Sequence, residues 1–178
     1  MKKVILTMIM VFAAISVNAQ NKALVKFFDK YAADPSFTHI NISGKMFEMI
    51  GSLEMDNAEE QQMISESLGK IQNVQVLVKD KGVNGTSLFN EVMKTINGEK
   101  FEELMSVREE ENDIKFMIQE KDNKINDLVM VLGGEKEFVL LNIRGNGIDL
   151  NMLYKLSTKL GMKGFEQFEM LEKARKGN

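Results

Sequence analysis

The chain of 178 residues contains no cysteine and no tryptophan, a single proline (Pro35) and a single histidine (His39), with only two tyrosines. Without cysteine there is no disulfide, no thiol nucleophile and no thiolate metal ligand, so the fold must be held by its core. One histidine and no cysteine argue against a zinc site, which normally takes three or four such ligands. The single histidine also leaves one candidate base for a serine nucleophile, and no Gly-x-Ser-x-Gly elbow accompanies it. The lack of tryptophan removes the best stacking platform for sugars. Scarce proline together with a hydrophobic fraction of 44% argues against disorder.

What is present begins with an export leader. Met1-Lys2-Lys3 is a short basic head, and Val4 to Ile15 is apolar apart from Thr7. Ser16-Val17-Asn18-Ala19 then offers small residues for cleavage between Ala19 and Gln20. The apolar run is about a dozen residues, short of the roughly 20 needed to span a bilayer core. The expectation is a signal peptide over 1–19 and a single globular domain over 20–178, without a transmembrane segment, in the periplasm or released beyond it. With no cysteine beside the cut, a lipid anchor is excluded.

The full chain carries 23 basic and 26 acidic side chains. Loss of Lys2 and Lys3 with the leader takes the mature domain to a formal charge of about −5. A nucleic-acid ligand, which needs a clustered basic surface, is therefore not expected.

Leu24, Phe27, Phe28 and Tyr31 follow helical spacing, and Asp34-Pro35 ends that helix. Phe37 to Ser43 alternates as a strand and runs through Gly44 into a short helix bearing Met46, Phe47 and Ile50. A further helix starts near Asp56–Glu60 and stops near Gly69. Val74, Val76 and Val78 mark a second strand. A polar loop over Lys79–Gly85 leads to a helix with Leu88, Val92, Met93 and Ile96, and the spacing of Phe101, Leu104 and Met105 reads as one more short helix. Ile114–Gln119, Leu128–Leu132 and Phe138–Ile143 form a three-strand meander, its first hairpin turning at Lys121-Asp122-Asn123-Lys124. The unbroken apolar run at Leu128–Leu132 marks a strand buried on both faces. Helices follow from Asp149 to Leu160 and around Phe165, Phe168 and Leu171, and 171–178 is expected to fray. The class is α+β, with an antiparallel or mixed sheet of about five strands and helices packed on one face.

Phe37-Thr38-His39-Ile40-Asn41-Ile42-Ser43-Gly44 matches Phe138-Val139-Leu140-Leu141-Asn142-Ile143-Arg144-Gly145 at four of eight positions. Two strands ending in glycine produce such an echo by chance more readily than by duplication.

Phe101-Glu102-Glu103-Leu104-Met105, Ile114-Lys115-Phe116, Ile125 to Val131 and Gly134 to Gly145 together resemble a family of exported Bacteroidota proteins, domain of unknown function 4252. Lys45 to Met49 and Val74 to Leu77 fit the same resemblance, which covers about Leu24 to Leu156. It implies a Gram-negative envelope location and transfers no activity or site residues.

No catalytic, cofactor-binding or metal-binding residue emerges. His39 reads as a structural histidine. Glu109 to Asp113 and the group Asp122, Asn126 and Asp127 lack calcium-loop spacing and read as solvated turns. Lys81 to Thr86 lacks phosphate-loop spacing. Methionine is abundant, with 14 in all and eleven once Met1, Met8 and Met10 leave with the leader. Met46 and Met49 are spaced for thioether ligation of copper, but flexible packing in a core or an adaptable groove is the better account of so many methionines. The function read from these features is that of a non-catalytic envelope accessory protein binding another protein. The alternatives are a module for an apolar small molecule or lipid, and a hydrolase using carboxylates.

Overall fold

The computed structural model describes residues 22–52, 57–82, 84–151, 153 and 155. The leader expected over 1–19, the helix expected around Phe165 to Leu171 and the fraying expected over 171–178 lie outside the described residues. The elements in chain order are α1 (Lys22–Ala32), β1 (Thr38–Ser43), α2 (Gly44–Gly51), α3 (Ala58–Leu68), β2 (Ile71–Lys79), α4 (Gly85–Ile96), β3 (Glu102–Arg108), β4 (Asn112–Lys121), β5 (Lys124–Gly134) and β6 (Phe138–Gly145). Residues 150, 151, 153 and 155 are again helical, where a helix was expected to begin.

The strands form one sheet in the order β1-β2-β6-β5-β4-β3, with every neighbouring pair antiparallel. The α+β class is therefore correct, with six strands in place of about five. The added strand is β3, where the spacing of Phe101, Leu104 and Met105 suggested a helix. A bulge between Glu103 and Met105 interrupts the ladder to β4. Leu104 and Met105 are consequently both half-buried, which breaks the two-residue alternation and imitates a helical stripe.

Helices cover both faces of the sheet, where one covered face was expected. Leu24, Phe27 and Phe28 of α1 and Phe89, Val92 and Ile96 of α4 pack on Leu77, Met117, Val129, Val131 and Leu140. On the opposite face Ile64 and Leu68 of α3, with Phe47 and Ile50 of α2, pack on Val74, Phe116, Leu128, Met130 and Leu141. Along β5, Leu128 and Met130 serve one core while Val129 and Val131 serve the other. That is the two-sided burial implied by its unbroken apolar run.

Local chemistry fixes the joints. Asp122 (φ 54°) and Asn123 (φ 58°) make the two-residue β4–β5 turn, a left-handed pair that Asp and Asn tolerate. Asn84 caps α4 by accepting a hydrogen bond from the Ser87 amide at 2.9 Å. The start of α4 then presses on the sheet at Gly85 and Gly133, where an added methyl would run into backbone carbonyls and, at Gly133, into Phe89. Lys30 and Tyr31 of α1 both reach Glu91 of α4, at 2.8 and 2.7 Å, and so tie the two helices together.

The echo between residues 37–44 and 138–145 has a geometric counterpart. β1 and β6 flank β2 in one register: Val76 stands opposite both Ile40 and Leu141, Gln75 opposite both Asn41 and Asn142, and Val74 opposite both Ile42 and Ile143. Gly44 and Gly145 both abut the backbone of Lys70–Gln72. Phe37 and Phe138 meet edge to face, with ring centroids 6.4 Å apart.

Candidate functional site

The face covered by α1 and α4 is apolar in its middle and polar at one end. In an antiparallel ladder, residues directly opposite one another share a face. The pairing therefore lines up Ser43, Asn73, Arg144, Asp127 and Gln119 across five strands, with Asn41, Gln75 and Asn142 one step inward. Asn142 Nδ2 donates to Asp127 Oδ1 at 3.3 Å and to the Leu128 carbonyl at 3.4 Å. Arg144 Nη2 donates to Asn73 Oδ1 at 3.3 Å, and Asn73 Nδ2 donates to Asn41 Oδ1 at 2.7 Å and to the Ile42 carbonyl at 3.2 Å.

Asp127 is only 8% exposed. Burial pushes its carboxyl up to about 6, partly offset by the Asn142 hydrogen bond and the Arg144 charge, and the Glu99 charge raises it further. Glu99, just past α4, accepts the Ala23 amide at 3.2 Å, and its own carboxyl is raised by burial. Arg144 Nε and Glu99 Oε2 are buried and have no hydrogen-bond partner among the described residues. This is a correction to the reading of Asp127 as part of a solvated turn. The turn occupies only Asp122 and Asn123, so β5 starts at Lys124 and carries Asp127 beneath the helices.

The other candidates stay apart from this row. His39 is exposed on β1, its ring 6.5 Å from that of Phe28. In the acidic run before β4, Asp113 pairs with Arg108 at 2.7 Å and Glu111 with Lys136 at 3.2 Å, both at the surface. A cleft of about 310 Å3 lies between α4 and the β3–β4 hairpin, lined by Phe89, Ser106, Val107, Arg108, Asp113, Ile114 and Lys115. Charged groups form much of that lining, which suits a polar ligand better than a lipid tail. Lys115 is four residues along β4 from Gln119, about 13 Å at strand rise, so the cleft and the buried carboxyl are separate features. No group of three or more His, Cys, Asp or Glu among the described residues could hold a metal ion. None of the described helices is long and apolar enough to cross a membrane.

A third feature is a set of exposed apolar side chains on α2, α3 and β1. Met46 and Met49 of α2 and Met63 of α3 are 50%, 57% and 54% exposed, and Ile40 of β1 is 44% exposed. Met117 and Met130 are buried and Met93 and Met105 half-buried, so packing accounts for only part of the methionine content. The i, i+3 spacing of Met46 and Met49 was the available signal. It placed both on one side of α2 without saying which side faced water.

The fold is thus an α+β domain built on a six-stranded antiparallel sheet covered by helices on both faces. Over residues 31–156 the chain matches the family described as Domain of unknown function (DUF4252), and it belongs to that family. No curated protein and no solved structure matches it.

Proposed function

We propose that this protein is an exported accessory protein of the Gram-negative cell envelope that works by binding another protein. The observation that carries the proposal is the exposure of Met46 and Met49 on α2 and of Met63 on α3, two helices packed against each other. Large apolar side chains cost free energy when left in water, and several of them on neighbouring helices suit a contact surface. Thioether side chains are flexible and polarisable, which suits an adaptable protein contact. The basic head, the apolar run and the Ala19–Gln20 cleavage site support export to the periplasm.

The test is affinity capture from the native envelope with the wild-type protein and with the double substitution Met46→Lys and Met49→Lys. A protein retained by the wild type and lost by the double variant is the expected result. Equal retention by both, or none by either, overturns the reading. N-terminal sequencing of the protein isolated from the periplasm tests the export step, with Gln20 as the expected first residue.

A further inference from the structure

The two edges of the sheet differ in kind. β3 is a guarded edge, because Glu102, Glu103 and Arg108 place charges along it, Lys115 of β4 pairs with Glu103 at 2.5 Å, and a bulge interrupts its ladder. Such devices discourage a further strand from pairing. β1 has none of them. Its six residues, Thr38-His39-Ile40-Asn41-Ile42-Ser43, include no Lys, Arg, Asp, Glu or Pro, and they pair with β2 in unbroken register from Thr38 to Ser43. All but Ile42 are exposed. Among the described residues no strand pairs with the outer side of β1.

We infer that the outer edge of β1 is the pairing surface for a second copy of this chain, joining two sheets into one across a two-fold axis. Self-pairing sets a surface against itself, so any charge on the edge would face its own copy. The overall charge is negative and copies repel at long range, and β1 is a stretch of edge where this repulsion has no local source. Opposed residues share a face, so a two-fold centred on Ile40 or Asn41 sets Ile40 against Ile40 or Ile42 of the other copy. The exposed Ile40 is then covered, and the outward amides and carbonyls of β1 gain partners. The inference rests on the protein-binding reading but uses the edge of β1 and not the methionines.

The experiment uses purified protein alone, so its failure is separate from failure to capture an envelope partner. Mature wild-type protein is measured by native mass spectrometry and by light scattering at tens of micromolar, beside Ile40→Lys and, as a control on the guarded edge, Ser106→Lys. The expected result is a dimer for wild type and for Ser106→Lys, with dissociation at least tenfold easier for Ile40→Lys. A monomeric wild type, or an Ile40→Lys protein that dimerises as tightly as wild type, overturns the inference. Because the chain has no cysteine, Ile40→Cys supplies a second reading that leaves the apolar character of the site in place. Mild oxidation should give a covalent dimer from Ile40→Cys for an axis through Ile40, or from an equal mixture of Ile40→Cys and Ile42→Cys for an axis through Asn41, and none from Ser106→Cys; no cross-link in either β1 arrangement counts against β1 as the seam.

Discussion

Asp127 and Arg144 stand directly opposite each other on the central strands β5 and β6, the carboxylate buried and the guanidinium half-buried. The arginine charge lowers the aspartate's pKa, yet burial outweighs it and the carboxyl sits near 6. The carboxylate therefore titrates close to neutrality. This polar end of the sheet is the one place in the described core where charge has been taken out of water.

The consequence for stability has a definite sign. Asp127 binds its proton more tightly in the folded chain, at about 6, than at the ordinary value of 3.8. Its contribution is therefore fully present below about pH 4 and is lost as pH rises through 6. Two pKa units correspond to about 3 kcal/mol. Asp127→Asn keeps an acceptor for Asn142 and removes the ionisation. It should be more stable than wild type by about 2 kcal/mol at pH 8, with no gain at pH 4. Urea unfolding at the two pH values checks this, and an equal effect at both would contradict it.

That buried carboxylate was hidden in the sequence by its neighbours. Asp122, Asn126 and Asp127 look like one polar turn, and only the tight two-residue hairpin moves Asp127 into the strand. The meander was plain because Leu128 to Leu132 and Phe138 to Ile143 are too apolar for anything but a covered strand. β3 was lost to its bulge. The second layer of helices was missed because Lys115 and Gln119 give one side of β4 a polar look, whereas Met117 between them packs in the core beneath α1 and α4. The exposed methionines were visible as a composition and as the spacing of Met46 and Met49, but periodicity groups side chains without assigning the group to water or to core.

At Gly133 the start of α4 lies close against the sheet. A methyl there would meet the Gly85 carbonyl oxygen at 2.6 Å as well as Phe89. Backbone cannot yield as a flexible side-chain tip would. Gly133→Ala should destabilise the fold by about 2–4 kcal/mol, visible as a lower thermal midpoint. Gly82→Ala is a useful contrast. Among the described residues beyond its chain neighbours, no atom lies within 4 Å of its would-be methyl, and its φ of 60° costs about 1 kcal/mol.

The aromatic cluster makes a second packing prediction. Phe138 is fully buried, with its ring centroid 6.4 Å from those of both Phe27 and Phe37. It joins α1, the segment before β1 and β6 in one contact. Phe138→Ala should cost about 3–5 kcal/mol, whereas Met49→Ala, at an exposed position, should lie within about 0.5 kcal/mol of wild type. Parallel denaturation curves of the two variants separate core from surface. A large loss from Met49→Ala would mean that this side chain is packed in solution.

The β4–β5 hairpin offers a stabilising change. Asp122 and Asn123 both hold positive φ, 54° and 58°, the geometry of a type I′ turn. Asn tolerates this region and Gly adopts it without steric cost, which makes Asn-Gly and Asp-Gly the favoured pairs. Asn123→Gly should therefore raise stability by about 0.5 kcal/mol, the left-handed gain being partly offset by greater freedom in the unfolded chain. Asn123→Val places a β-branched residue at positive φ and should cost about 1–2 kcal/mol. Denaturant midpoints of the two variants should fall on opposite sides of wild type. A shift in the same direction for both would show that the turn leaves this conformation in solution.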